Sequence, residues 1–236
     1  MKREVLIVLL VTILCVVTGC GKTKDGVVNK KVTLESMKNE DTSYLDVNDV
    51  VLAFPFTLND FINAFPDYEV YAFYENGTQK IDVNYKLPRG TFKEIKVIKK
   101  LGGEDEKTKL GRTRFYLKSV ILSDDDNTFG NTTIVGASYQ YVDNYNFGSV
   151  KINGIEPNKT PIGVVKEFFK TTYGDYRVTD YGAIECNSSL TSNKFKKIIV
   201  NGNDAYPIIY VSVGGYSDDY PDTEIINYVS LQYGTI

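Results

Sequence analysis

Histidine and tryptophan are absent from this 236-residue chain. Without imidazole there is no Ser-His-Asp or Cys-His catalysis and no His-ligated zinc, and no side chain titrates near neutral pH unperturbed. Positive charge is short as well. Lys and Arg number 27 against 30 Asp and Glu, a formal net charge of −3, so no basic field exists to hold nucleic acid. The phosphate-cradling loop with its Gly-Lys-Ser/Thr ending, Gly-x-Ser-x-Gly and Ser-x-x-Lys are all missing. Cysteine is scarce at three residues. Long apolar runs are scarcer: only one exists, and it lies at the start.

That run goes from Val5 to Val17, behind Lys2 and Arg3. As a helix it would reach about 20 Å, short of the ~30 Å hydrocarbon core of a bilayer. A basic start, an apolar stretch of this length and small residues after it read as an export signal. Val17-Thr18-Gly19-Cys20 follows and resembles the lipobox of bacterial lipoproteins. The resemblance covers only these first twenty residues. It implies that Val17, Thr18 and Gly19 are recognised by a type II signal peptidase, which cuts before Cys20. It also implies that the Cys20 thiol carries a diacylglyceryl group. Two acyl chains at one residue anchor a protein stably where one would not. The expected location is the extracytoplasmic face of the cell membrane. Loss of residues 1–19 removes Lys2, Arg3 and Glu4 and leaves a formal charge of −4. Cys186 is then the one thiol of the body, read as a small buried residue of a strand, and the domain has no internal disulfide.

Residues 20–48 are polar and of mixed charge, with sparse apolar residues and no period. They read as a tether, whose average span as a coil would be about 30 Å. The body follows as two units, 49–147 and 148–236. Thr57-Leu-Asn-Asp60 has the form of a capping box, and Leu58, Phe61, Ile62 and Phe65 fall on one helical face. Thr91-Phe-Lys-Glu94 predicts a second helix over 92–101, with a strand as the alternative. Thr160-Pro161 opens a third helix, with Val164, Val165, Phe168 and Phe169 on its apolar face and Gly174 at its end. Period-two runs at 69–74, 79–85, 112–122, 132–142, 176–181, 183–186, 194–200, 205–213 and 224–233 predict strands. Residues 134–141 match 226–233 at Ile, Ser, Gln and Tyr. Few helices, many strands and no βαβ alternation predict an α+β fold: short capped helices packed on antiparallel sheet, in two tandem helix-plus-sheet repeats.

Two acidic clusters could supply oxygen ligands to calcium: Asp124, Asp125, Asp126, Asn127 and Thr128, and Asp218, Asp219, Asp222 and Glu224. The EF-hand spacing fails, because Phe129 and Val135 stand where Gly and Glu are required. Both clusters read as solvated turns. No catalytic, metal or cofactor residue is expected. Twelve of the 18 tyrosines lie beyond residue 138; they either fill half-buried sheet faces or present a rigid amphipathic surface to a sugar or protein. The expected function is therefore a non-catalytic binding or interaction module, held at the membrane through Cys20, with a protein or cell-wall component as its partner. The alternative is a His-independent hydrolase that works on cell-wall glycan with paired carboxylates.

Overall fold

The structure is a computed structural model; it describes residues 26–74, 77–100, 110, 112–122, 127–143, 147–214 and 220–235. In chain order the elements are β1 (Val27–Val28), α1 (Leu34–Met37), β2 (Tyr44–Val47), β3 (Val50–Ala53), β4 (Phe56–Thr57), α2 (Leu58–Ala64) and β5 (Tyr68–Tyr74). They continue with β6 (Gly77–Lys80), β7 (Phe92–Lys99), β8 (Phe115–Val120), β9 (Thr133–Gln140), β10 (Val150–Ile152) and α3 (Ile162–Tyr173). The last are β11 (Arg177–Val178), β12 (Ile184–Cys186), α4 (Ser188–Thr191), β13 (Ile198–Val200), β14 (Asn203–Ser212) and β15 (Tyr228–Thr235).

These strands form two antiparallel sheets. The small one has the order β1-β3-β2-β10; the large one has eleven strands, with β11-β12-β14-β15-β9-β8-β7-β5-β6 as its path, β13 added beside β14 and β4 beside β9. The expected α+β class is overturned. Fifteen strands dominate the described residues, and the four α-helices among them are short, α3 being the longest at 12 residues. The two tandem repeats are overturned with it. One sheet runs unbroken through both halves, because β9 pairs with β15, and β10 from beyond residue 148 completes the small sheet beside β2. Apolar residues that looked sufficient for helix faces are instead shared between sheets. The side chains buried by both belong to one contiguous core.

Phe92–Lys99 form β7 and no helix; residue 101 lies outside the described residues. Thr91 and Glu94 suit a capping box, but Ile95 and Val97 alternate into the core while β5 and β8 take up the backbone on either side. Tertiary pairing outweighs the local signal. The tether is corrected too. From Gly26 onward the segment belongs to the fold, and Val32, Met37, Leu45 and Val47 are fully buried. Its apolar residues are few, but Val28, Val32, Met37, Tyr44, Leu45 and Val47 belong to the core, and Val27 and Leu34 pack against it. Thr33 and Ser36 satisfy the polar backbone between them with a reciprocal cap on α1.

The α2 helix follows its sequence: Thr57 and Asp60 cap one another's backbone N–H groups, and Leu58 and Phe61 are buried. In α3, Pro161 occupies the N-cap, while the Thr160 hydroxyl accepts from the Glu156 N–H at 3.0 Å. Gly174, at φ +92°, ends that helix in the left-handed region. Ile162, Val165, Phe168, Phe169 and Tyr173 are its buried face. Among the described residues no helix is long and apolar enough to cross a membrane.

Candidate functional site

In the large sheet, alternate residues point into the core and the others toward solvent. On β14 Ala205, Ile209 and Val211 belong to the core, and Tyr206, Ile208 and Tyr210 are half-exposed. On β15 Val229, Leu231 and Tyr233 belong to the core, which turns Tyr228, Ser230 and Gln232 outward. The cross-strand register links these outward residues into rows. One row reads Tyr71, Lys96, Tyr116, Ser138, Ser230, Tyr210, Glu185, Arg177, each residue the direct partner of the next. It crosses eight strands, roughly 34 Å at the usual strand spacing.

The row has a seam at its centre, where Ser138 faces Ser230 across β9 and β15. These two serines are also matched by the likeness of 134–141 to 226–233. Small side chains keep the seam low, and Tyr116 and Tyr210 rise on either side of it. Tyr116 stacks with Phe73, ring centroids 6.5 Å apart, and Tyr210 meets Tyr228 edge-on at 5.8 Å. Phe73 is 41% exposed. Aromatic rings with hydroxyl groups between them offer both stacking surface and hydrogen bonds.

Charges sit two strands out from the seam. On one side Arg177 Nη2 donates to both carboxylate oxygens of Glu185, at 3.0 and 2.9 Å. On the other side Lys96 is only 7% exposed. Its Nζ lies 5.5 Å from the Tyr116 ring centroid and 5.9 Å from that of Phe73. Burial lowers the pKa of Lys96, and Arg114 lowers it further, while Glu94 acts in the opposite sense. Burial also raises the pKa of Tyr210.

Two concavities lie elsewhere. A cavity of about 530 Å³ is lined by Tyr139, Tyr141, Ser149, Glu156, Asn158 and Lys159. Glu156 there is neutralised by Lys159 at 2.8 Å. A second, of about 350 Å³, is lined by Asn29, Lys30, Lys31, Asp46 and Asp49. It brings two carboxylates together, but both are committed to Lys151, whose Nζ is 3.1 Å from Asp46 and 3.3 Å from Asp49.

Val17, Thr18, Gly19 and Cys20 lie outside the described residues, as do Asp124, Asp125, Asp126, Asp218 and Asp219. The backbone carbonyl of Asn127 accepts from the Leu87 N–H. Asp222 pairs with Lys166 at 2.9 Å. Among the described residues no cluster of three His, Cys, Asp or Glu could hold a metal ion. Cys186 is buried, and burial raises its thiol pKa to about 12. Of the tyrosines beyond residue 138, Tyr139, Tyr173 and Tyr233 are buried, whereas Tyr206, Tyr210 and Tyr228 stand on the open face. Sequence reasoning missed Lys96. A helix over 92–101 hides the alternation that turns Lys96 to the side opposite Ile95 and Val97.

No family model, no curated protein and no solved structure matches this chain.

Proposed function

We propose that this protein is an exported lipoprotein, acylated on Cys20 after removal of residues 1–19 and held at the extracytoplasmic face of the cell membrane. It acts there as a non-catalytic binding module, and its contact surface is the open face of the large sheet. The anchoring rests on the order of basic start, apolar run, Val17-Thr18-Gly19 and Cys20. The binding role rests on one observation: a row across eight strands, turned away from the main core, in which Tyr116, Ser230 and Tyr210 are partly exposed while Tyr71, Lys96 and Ser138 are buried. A partner of the cell surface, a protein or a wall component, is the expected ligand.

Two measurements test this. The amino-terminal peptide of the native protein carries a diacylglyceryl mass on Cys20, and Cys20→Ala abolishes it; an unmodified terminus refutes the anchoring. Purified protein is retained by isolated cell envelopes, and the double change Tyr116→Ser, Tyr210→Ser releases it while the variant still unfolds cooperatively. Equal retention of the two proteins refutes the binding face. Turnover of wall glycan, lost on Asp46→Asn, would establish the hydrolase in its place.

A further inference from the structure

Two charged residues are buried among the described residues, Asp46 and Lys96. A buried charge is expensive unless paired and hydrogen-bonded. Asp46 obeys the rule: Lys151 lies 3.1 Å from it, and the Asp49 N–H donates to it at 3.0 Å. Lys96 does not. Its ammonium makes no hydrogen bond or ion pair with any described residue; it lies over two aromatic rings, with Arg114 and Glu94 acting on it at longer range.

The other side of the seam shows what the usual solution looks like. Glu185 occupies the equivalent place in the row, two strands out from Ser230, and its cross-strand neighbour is Arg177, which neutralises it. The cross-strand neighbour of Lys96 is Tyr71 instead, and the Tyr71 hydroxyl is spent on Glu69 at 3.1 Å. The other charges on this part of the face do not supply an anion. Arg114 adds positive charge. Glu94 acts on Lys96 only at longer range, and Glu69 is held by Lys80 as well as by Tyr71. Cation–π contact and the field of Glu94 offset part of the cost, but no described anion pairs directly with the ammonium. Beside it Phe73 offers an exposed ring stacked on Tyr116.

We infer that Lys96 anchors an oxyanion site on the open sheet face: a ligand carboxylate or phosphate, borne on a flat apolar group that lies against Phe73 and Tyr116, supplies the missing counter-charge. This deepens the binding-face reading and rests on it. Groups kept for binding are costly to the free fold, so Lys96 destabilises the unliganded protein and stabilises the liganded one.

The experiment uses the detergent-solubilised full chain, labelled with ¹³C at lysine Cε, with the Lys96 signal assigned from its loss in Lys96→Met. Benzoate, phenyl phosphate and neutral benzamide are the probes. Benzoate or phenyl phosphate shifts the Lys96 signal saturably, the tighter of the two names the oxyanion, and benzamide does not. Binding weakens at least tenfold in Lys96→Met, which also melts at a higher temperature than the parent. A saturable shift with neither anion overturns the inference. So does a lower melting temperature in Lys96→Met, which would make Lys96 a structural residue. A shift of the Lys96 signal when Glu104, Asp105 and Glu106 are neutralised overturns it as well, since the anion would then be the chain's own. If oxyanions fail while the tyrosine pair still governs envelope retention, the binding face stands and only the Lys96 site falls.

Discussion

Gly136 and Leu231 touch at the joint between the two halves of the large sheet: a Cβ on Gly136 would stand 2.6 Å from the Leu231 carbonyl oxygen. Backbone cannot swing aside as a side-chain tip can, so any side chain here forces β9 away from β15. Gly136→Ala is expected to cost about 1–3 kcal/mol, the range for overpacking a close contact. Urea unfolding measures it. An unchanged midpoint would mean that the joint is slack.

Asp46 and Lys151 give a second prediction. Asp46 is 2% exposed; burial raises its pKa, against the opposing pull of Lys151. Lys151→Met leaves that carboxylate buried and unpaired, at a cost of about 3–5 kcal/mol. The loss shrinks in acid, because protonation removes the unpaired charge. Asp46→Asn added to Lys151→Met recovers most of it. Thermal melting of the two variants at neutral and acidic pH checks both claims.

Alkaline pH is the third lever. Burial raises the Tyr139 and Tyr233 phenols from 10.0 to about 12, and the Cys186 thiol from 9.0 to about 12. The unfolded chain releases these protons first and so binds fewer of them than the native state. Stability is therefore full below about pH 9 and falls as pH rises toward 12. The melting temperature is flat through neutral pH and drops above it; a drop that Tyr139→Phe with Tyr233→Phe leaves unaltered would assign it to other groups.

The same burial governs thiol chemistry. Cys186 is 0% exposed and protonated at neutral pH, whereas the thiolate is the reactive form. Iodoacetamide leaves it untouched in the folded protein and modifies it fully in denaturant. Labelling at equal rates in both conditions would contradict the packing of β12.

Much of this was legible from residues alone. The Thr57–Asp60 box and the spacing of Leu58 and Phe61 specify α2, and the alternation of Ala205, Ile209 and Val211 against Tyr206 and Tyr210 specifies β14. These signals are local, carried by neighbours in sequence. What stayed hidden is non-local. Nothing in 134–141 says that its free edge will meet 228–232, and that one pairing turns two sheets into one. Residues 92–99 carry a helix-start signal that β5 and β8 override. Lys96 was invisible for this reason, since its orientation exists only in a strand. Sparse apolar residues before Val50 looked like solvated chain because packing depends on where each residue lands, not on how many there are.

That residues 26–48 belong to the fold shortens the protein's reach. If Cys20 bears the lipid, only residues 21–25 separate it from the fold, and the leash extends at most about 20 Å. The chain enters the described fold through β1, an edge strand of the small sheet. A body tethered as proposed would keep the edge of its small sheet within that distance of the bilayer.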